Sequence, residues 1–243
     1  MTKVALFADI HANLPAYQAC LRHAHALGAR YAWNLGDFIG YGAFPNQVIE
    51  SSIRHNVLSI AGNYDLKTFK VHKNPAQVKN PLKRLAFLWA YQQLTPQNRA
   101  YLLHLPKERR IIFKGWKILF THGSPASNKE HLSPATPPER LKELSRLTKA
   151  KVILCGHSHQ AFMQQVNDVL FINPGSVGRS DDGNPQASYA ILNIKNQEIR
   201  VTHYRISYPI SRCISEIDKY NLPHEFAEMV LQGRSLDQIT LNE

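Results

Sequence analysis

Apolar residues fall along the chain in short runs that stop abruptly at polar clusters. Lys3 to Ala8 is an apolar run of strand length that breaks into Asp9-Ile10-His11-Ala12-Asn13. Leu14 to Leu27 follows with Leu14, Ala16, Ala19, Cys20, Ala24 and Leu27 at mostly helical spacing, and Gly28 stands where a C-terminal cap belongs. Tyr31 to Leu35 is a second strand ending at Gly36-Asp37. Pro45 to Arg54 reads as a helix, and His55 to Ile60 as a third strand ending in the polar loop Gly62-Asn63-Tyr64-Asp65. Strands alternating with helices predict a layered α/β fold with a largely parallel sheet, because parallel neighbours need crossover connections. Ligands in such folds bind at the C-terminal strand ends.

Residues 81–105 predict two helices broken at Thr95-Pro96, covering one side of the core. The second half changes character. Arg109 to Phe113 and Trp116 to Phe120 resemble a hairpin around Lys114-Gly115, and the second arm runs into Thr121-His122-Gly123-Ser124. After a helix over Pro137 to Leu147, the strand Lys151 to Cys155 feeds Gly156-His157-Ser158-His159. Strands near 161–166, 169–172, 187–194 and 198–206 complete a mostly antiparallel set, so two sheets are expected. Ile210 to Leu231 reads as two short helices broken near Pro223. No repeat or linker marks a boundary, and the expectation is one domain over 1–243 with 210–243 a helical tail packed on it.

Composition adds exclusions. With 243 residues, 44% hydrophobic and 19% charged, the chain is neither disordered nor collagen-like. No apolar run approaches the ~20 residues of a membrane span. The stretch before Asp9 is too short for a signal peptide, so a cytoplasmic setting without membrane partners is expected. Cys20, Cys155 and Cys213 are unclustered, which argues against disulfides and thiolate metal sites. Lys and Arg (29) exceed Asp and Glu (18), a net charge of +11 that suits an anionic partner such as a phosphate ester or nucleotide. The cations are mostly dispersed, so nucleic acid is not expected as a partner. Trp33, Trp89 and Trp116 read as packing residues.

Hard-metal ligand types recur at the strand ends: Asp9 and His11, Asp37, Asn63, His122, then His157 and His159. Taken singly, an Asp after a strand is a turn former or helix cap, and a lone His is a satisfied core residue. The recurrence is what points to a shared site. The i, i+2 spacings of Asp9/His11 and His157/His159 place two donors on one side of an extended segment. Asp37 has two oxygens with which to bridge two cations.

Asp9-Ile10-His11, Gly36-Asp37 with Gly40-Tyr41-Gly42, Gly62-Asn63-Tyr64-Asp65, Thr121-His122-Gly123 and Gly156-His157-Ser158-His159 resemble, in order and spacing, the motifs of the calcineurin-like metallophosphoesterase superfamily. Asn173-Pro174-Gly175-Ser176 is similar to its small bacterial and archaeal phosphodiesterase branch. The resemblance spans residues 3 to about 180. It implies a four-layer α/β/β/α sandwich of two mixed sheets. It also implies two divalent or mixed-valence metal ions, manganese first, with iron, zinc, nickel or magnesium as alternatives. One metal would be held by Asp9, His11, Asp37 and His159, the other by Asp37, Asn63, His122 and His157. The implied activity is a metal-dependent phosphoric ester hydrolase acting on phosphodiesters or small phosphorylated metabolites. Two cations roughly 3.5–4 Å apart would hold a bridging hydroxide for attack on phosphorus. Asn63 would also touch the phosphate, and Asn13 and Arg179 are the candidate substrate contacts.

One position departs from the pattern. Many relatives have His where this chain has Tyr64, and that His lies near the leaving group as general acid. A phenol is the poorer proton donor near neutral pH, and losing a general acid costs on the order of 10²–10⁴ in rate. Asp65 would then serve Tyr64 or cap a helix, and His72 is a substitute acid to consider. Two other readings stay open. One is a dinucleoside polyphosphate hydrolase. The other is a silent interaction scaffold like the retromer subunit that resembles this family, although every expected ligand position keeps a donor side chain. Residues 207–243 would pack on the domain or serve a homo-oligomer.

Overall fold

The computed structural model of the chain describes residues 1–196 and 198–241; the last two residues of the tail expected over 210–243 lie outside the described residues. The first apolar run forms β1 (Thr2–Phe7), whose alternation separates two cores. Val4, Leu6 and Ala8 face one way and pack with Trp33, Leu35, Phe120, Val152, Leu154 and Leu192. Ala5 and Phe7 face the other way, against Tyr17 and Cys20 of α1 (Leu14–Ala26) and Val48 and Ile49 of α2 (Pro45–Arg54).

The first sheet places β1 beside β2 (Tyr31–Asn34) and, beyond it, β3 (Leu58–Ser59), all parallel. After β3 come α3 (Asn63–Lys73), α4 (Pro81–Gln93) and α5 (Pro96–His104). The second sheet begins with β4 (Glu108–Phe113) and β5 (Trp116–Thr121), crosses over through α6 (Pro138–Arg146) to β6 (Val152–Leu154), and adds β7 (Phe162–Val166) and β8 (Val169–Asn173) in the order β4-β5-β6-β8-β7. Leu141 and Leu144 of α6 cover its outer face. The result is two mixed sheets packed face to face with helices outside.

Strand pairs in the second half are mostly antiparallel, as expected, although within the second sheet β5, β6 and β8 run parallel with β4 and β7 reversed at the edges. Three other expectations need correcting. The late hairpin β9 (Ala187–Ile194) and β10 (Ile199–Ile206) joins the first sheet instead, with β9 antiparallel to β1. The third strand is only two residues long, because α2 runs to Arg54 and Asn56 then turns in the left-handed region at φ 51°. Residues from Asn63 are not a loop but the start of α3, which opens with Asp65 accepting from the Gly62 N–H at 2.9 Å.

The chain then forms α7 (Ile210–Lys219), α8 (His224–Gln232) and α9 (Leu236–Thr240). Ile217, Phe226, Met229, Leu236 and Ile239 from these helices cluster with Tyr41 and Ala86. Among the described residues no helix is long and apolar enough to cross a membrane. All three cysteines are buried and free.

Candidate metal centre

β1, β2, β3, β5 and β6 deliver their following residues to the same end of the two sheets. Two groups of side chains form there, Asp9 with His11 and His159, and Asp37 with His122 and His157; within each, the ligand atoms lie within 4.8 Å of one another. Asn63 completes the second group, its Oδ1 2.7 Å from His122 Nε2. The groups share a wall: Asp37 Oδ2 lies 3.4 Å from His122 Nε2 and 3.8 Å from His11 Nε2, and His122 Nε2 lies 3.9 Å from Asp9 Oδ1.

The backbone works hard to achieve this. Asp9, His11, Asp37, His157 and His159 all sit in the left-handed region, with φ between 47° and 67°. Non-glycine residues there are strained and usually need a reason. The short reach between Asp9 and His11 therefore comes from tight turns, not from the extended spacing expected. Gly62 is forced by proximity: a Cβ there would lie 2.1 Å from Asp37 Oδ1. Asp65 fixes the neighbouring loop. Its carboxylate accepts from the N–H groups of Asp37 (3.0 Å), Phe38 (2.9 Å) and Ile39 (3.3 Å) besides Gly62. It thus caps α3 and braces Asp37, and it does not orient Tyr64.

Asp37 Oδ1 is engaged by the Tyr64 N–H at 2.7 Å, which leaves Oδ2 as the oxygen facing both groups. This narrows the expectation that Asp37 has two oxygens with which to bridge two cations. The loop carrying the histidine pair is stapled by Asn173, whose amide donates to the Gly156 carbonyl at 2.8 Å and to Ser158 Oγ at 3.0 Å. Ser176 Oγ donates to the Asp9 carbonyl at 2.9 Å.

Charge and hydrogen bonding test whether metals fit. Asp9 Oδ1 is buried with no hydrogen-bond partner, and His11 Nε2 and His159 Nε2 face each other at 3.3 Å. A neutral His122 that donates its Nδ1–H to the Leu35 carbonyl (2.8 Å) turns its Nε2 lone pair toward two acceptor oxygens, of Asn63 and Asp37. A cation among those atoms resolves the repulsion; without one, a proton must. Burial opposes charge on His122, but Asp37 and Asp9 outweigh it and push the imidazole up to about 9. Burial lowers His11 to about 3 and His157 to about 4. Burial would raise Asp9 and Asp37, but the facing histidines hold both below the usual carboxylate range. The set is a buried, mostly preformed, anionic donor cage suited to hard or borderline divalent ions.

The other expected residues divide. Tyr64 is at the site, its ring edge-on to His11 at 5.0 Å and its hydroxyl 3.0 Å from that of Tyr41. Arg179 stacks over Tyr41, Cζ to ring centre 5.1 Å, and its charge is felt at His11. Asn13 is spoken for elsewhere: Oδ1 accepts from the Ala16 N–H at 3.1 Å to cap α1, and the amide donates to the Gly178 carbonyl (3.0 Å) and the Tyr208 hydroxyl (3.2 Å). Its geometry is that of a buried cap, not a substrate contact. His72 is exposed and stacks on Tyr91 at 3.6 Å, which removes it as a substitute acid.

Two residues at the site carried no signal in the sequence. His131, on the loop after His122, lies with its ring 4.2 Å from that of His157. Asp181 Oδ2 stands 3.5 Å from His159 Nδ1, on the side of the ring away from Nε2 and without a hydrogen bond to it. Neither falls in a motif or at a strand end. Only the folded loops bring them in.

The calcineurin-like phosphoesterase superfamily domain matches residues 2–197. The chain is 31% identical to an uncharacterized protein of Methanocaldococcus jannaschii, over 95% of this chain and 98% of that one. It is 26% identical to the phosphodiesterase YfcE of Escherichia coli, over 79% of this chain and 88% of that one. Among solved structures it resembles a metallophosphoesterase from Sphaerobacter thermophilus, with a TM-score of 0.77 and 27% identity over 96% of this chain and 99% of that one.

Proposed function

The chain belongs to the calcineurin-like phosphoesterase superfamily, a family of phosphoric ester hydrolases, and from that premise we propose that it is a dinuclear phosphodiesterase. The carrying observation is the pair of three-ligand groups sharing a wall at Asp37 Oδ2. Asp9, His11, Asp37 and His159 would hold one ion, and Asp37, Asn63, His122 and His157 the other. Divalent cations there, manganese first among them, supply Lewis acidity toward phosphate oxygens and lower the pKa of water.

The side chains do the rest. Asn63, beside His122, orients the phosphate through its amide. Arg179 offers a guanidinium to the non-bridging oxygens, where fixed positive charge meets charge developing in the transition state. The Tyr41 and Tyr64 hydroxyls lie 3.0 Å apart, and in this reading Tyr41 is the donor of that bond, so that the Tyr64 O–H serves the leaving oxygen. Asp65 acts behind them by holding the Asp37 loop in place. The substrate in this reading is a phosphodiester or small phosphorylated metabolite in the cytoplasm, and 1–243 acts as one catalytic unit.

The test is turnover of bis(p-nitrophenyl) phosphate by metal-stripped protein reloaded with Mn²⁺, beside the monoester p-nitrophenyl phosphate. Manganese-dependent cleavage of the diester is expected, and Asp37→Ala should lower it by more than about 10³-fold, beyond the loss of a single polar contact. A diester left uncut, or cut equally well by Asp37→Ala, overturns the proposal.

A further inference from the structure

Beyond its hydroxyl contact with Tyr64, Tyr41 joins three parts of the molecule at the metal centre. It lies between two glycines, and the first lets its loop approach a candidate ligand: a Cβ on Gly40, which has φ +159°, would lie 2.6 Å from His11 Nδ1. The Gly42 N–H then donates to the His11 carbonyl at 3.0 Å. The Tyr41 ring, 4% exposed, is wedged against Tyr64 at 5.7 Å on one side and edge-on to Phe226 of α8 at 5.2 Å on another.

Over this aromatic pair sits Arg179, 5.1 Å from the Tyr41 ring centre and 5.8 Å from that of Tyr64. Its Nε is buried without a hydrogen-bond partner, and it forms no ion pair among the described residues. The two ring faces and the charges of Asp181 and Asp37 hold this half-buried guanidinium, and without a side-chain hydrogen bond among the described residues its donors are left to meet an anion bound at the metal centre. Burial raises the Tyr41 phenol above its ordinary range, so it stays a neutral ring and hydroxyl. Phe226 belongs to the C-terminal helices, which lie beyond residues 2–197 of the family domain. A narrow cavity between those helices and the site is walled by His11, Tyr41, Arg179, Ile217, Phe226 and Met229.

We propose that Tyr41 is a positioning residue for the substrate phosphate, carrying Arg179 on its ring and held from behind by Phe226, so that α8 forms part of the active-site wall. The inference rests on the phosphoesterase reading for its ligand, a phosphate group, but not for its test. A cation–π contact of this kind is worth about tenfold in affinity when partly desolvated.

The experiment measures the Kd of inorganic phosphate for the Mn²⁺-loaded full chain by calorimetry, with metal content and bis(p-nitrophenyl) phosphate turnover recorded alongside. Tyr41→Leu should weaken phosphate about tenfold at unchanged metal content, and Tyr41→Phe, which keeps the ring, by no more than about threefold. Because Tyr41 acts through Arg179, the pair Tyr41→Leu/Arg179→Ala should bind phosphate no more weakly than Arg179→Ala alone. Wild-type affinity in Tyr41→Leu, or losses that multiply in the double variant, overturns the assignment. Where Tyr41→Leu does not fold, Phe226→Leu carries the test, with about a threefold loss expected in the wild-type background and none in Arg179→Ala. Coupled losses in a protein without diesterase turnover refute the phosphoesterase reading alone, while turnover with multiplying losses refutes the role of Tyr41 alone.

Discussion

Metal binding at this centre should release a proton from His122, and the pH dependence of affinity follows. In the metal-free protein that imidazole is held up at about 9, because Asp37 and Asp9 outweigh the cost of burying its charge. A ligand must give up its proton to bind a metal. Between pH 7 and pH 9 the apparent affinity should therefore rise by about tenfold per unit, on the order of 100-fold across the window, and level off above it. His11 and His157, lowered to about 3 and about 4, are already neutral there and add no slope. Anaerobic Mn²⁺ titrations at pH 7, 8 and 9, with free Mn²⁺ read from its EPR signal, measure the slope, and proton release into weak buffer counts the proton directly. A flat profile without proton release would show that His122 is neutral in the metal-free protein and that its facing oxygens are arranged otherwise. The same shift has a stability signature of opposite sense. With its pKa raised above the ordinary 6.5, charged His122 stabilises the metal-free fold fully below about 6.5 and loses that contribution as pH rises through about 9. Urea midpoints of the metal-free protein should fall across that window, and those of the loaded protein much less.

Further perturbations separate bracing from chemistry. Asp65→Asn exchanges an acceptor-only carboxylate for an amide facing buried N–H groups, and should cost about 3 kcal/mol of stability in urea unfolding together with metal occupancy. Asn13→Ala should cost about 2 kcal/mol through the lost cap and orphaned partners while leaving diester kcat/KM within twofold; a large kinetic loss at normal stability would return Asn13 to the substrate. Tyr64→His should raise turnover of poorly activated alkyl phosphodiesters more than that of nitrophenyl esters, whose leaving group needs no proton. Equal effects on both would place residue 64 away from the leaving oxygen.

The candidate ligands were legible because hard donors recur after apolar runs, and the parallel strands carry them to one end of the molecule. The backbone that makes them converge was not. Left-handed backbone at Asp9, His11, His157 and His159 replaces the extended geometry that the i, i+2 spacing suggests, Asp37 is left-handed as well, and only the surrounding loops enforce these turns. Asp65 shows the same limit: its place at the start of α3 reads as a cap, but its bonds to Asp37, Phe38 and Ile39 depend on how two loops stack. Asn13 failed in the opposite sense. It lies in the ligand-rich loop after β1, yet its hydrogen-bonding capacity is consumed by α1, Gly178 and Tyr208. The strand β9 could be placed as an element but not in a sheet, since its partner is at the other end of the chain.

That placement bears on how the molecule is made. β1 is an interior strand of the first sheet, yet one of its neighbours is β9, with Thr2 opposite Ile194. On a ribosome, β1 emerges early with one edge bare and waits for most of the chain to be synthesised before that edge is covered. Contacts of such long sequence separation slow folding, and bare edges invite pairing between nascent chains. Asp9 leads out of the same strand, so the metal centre cannot reach its final form before the hairpin of β9 and β10 arrives. A chain stopped before residue 187 would carry every ligand and still leave β1 unpaired on that side. Refolding yield from denaturant should therefore fall steeply with protein concentration, and a cell making this protein has reason to shield its first strand until its last ones appear.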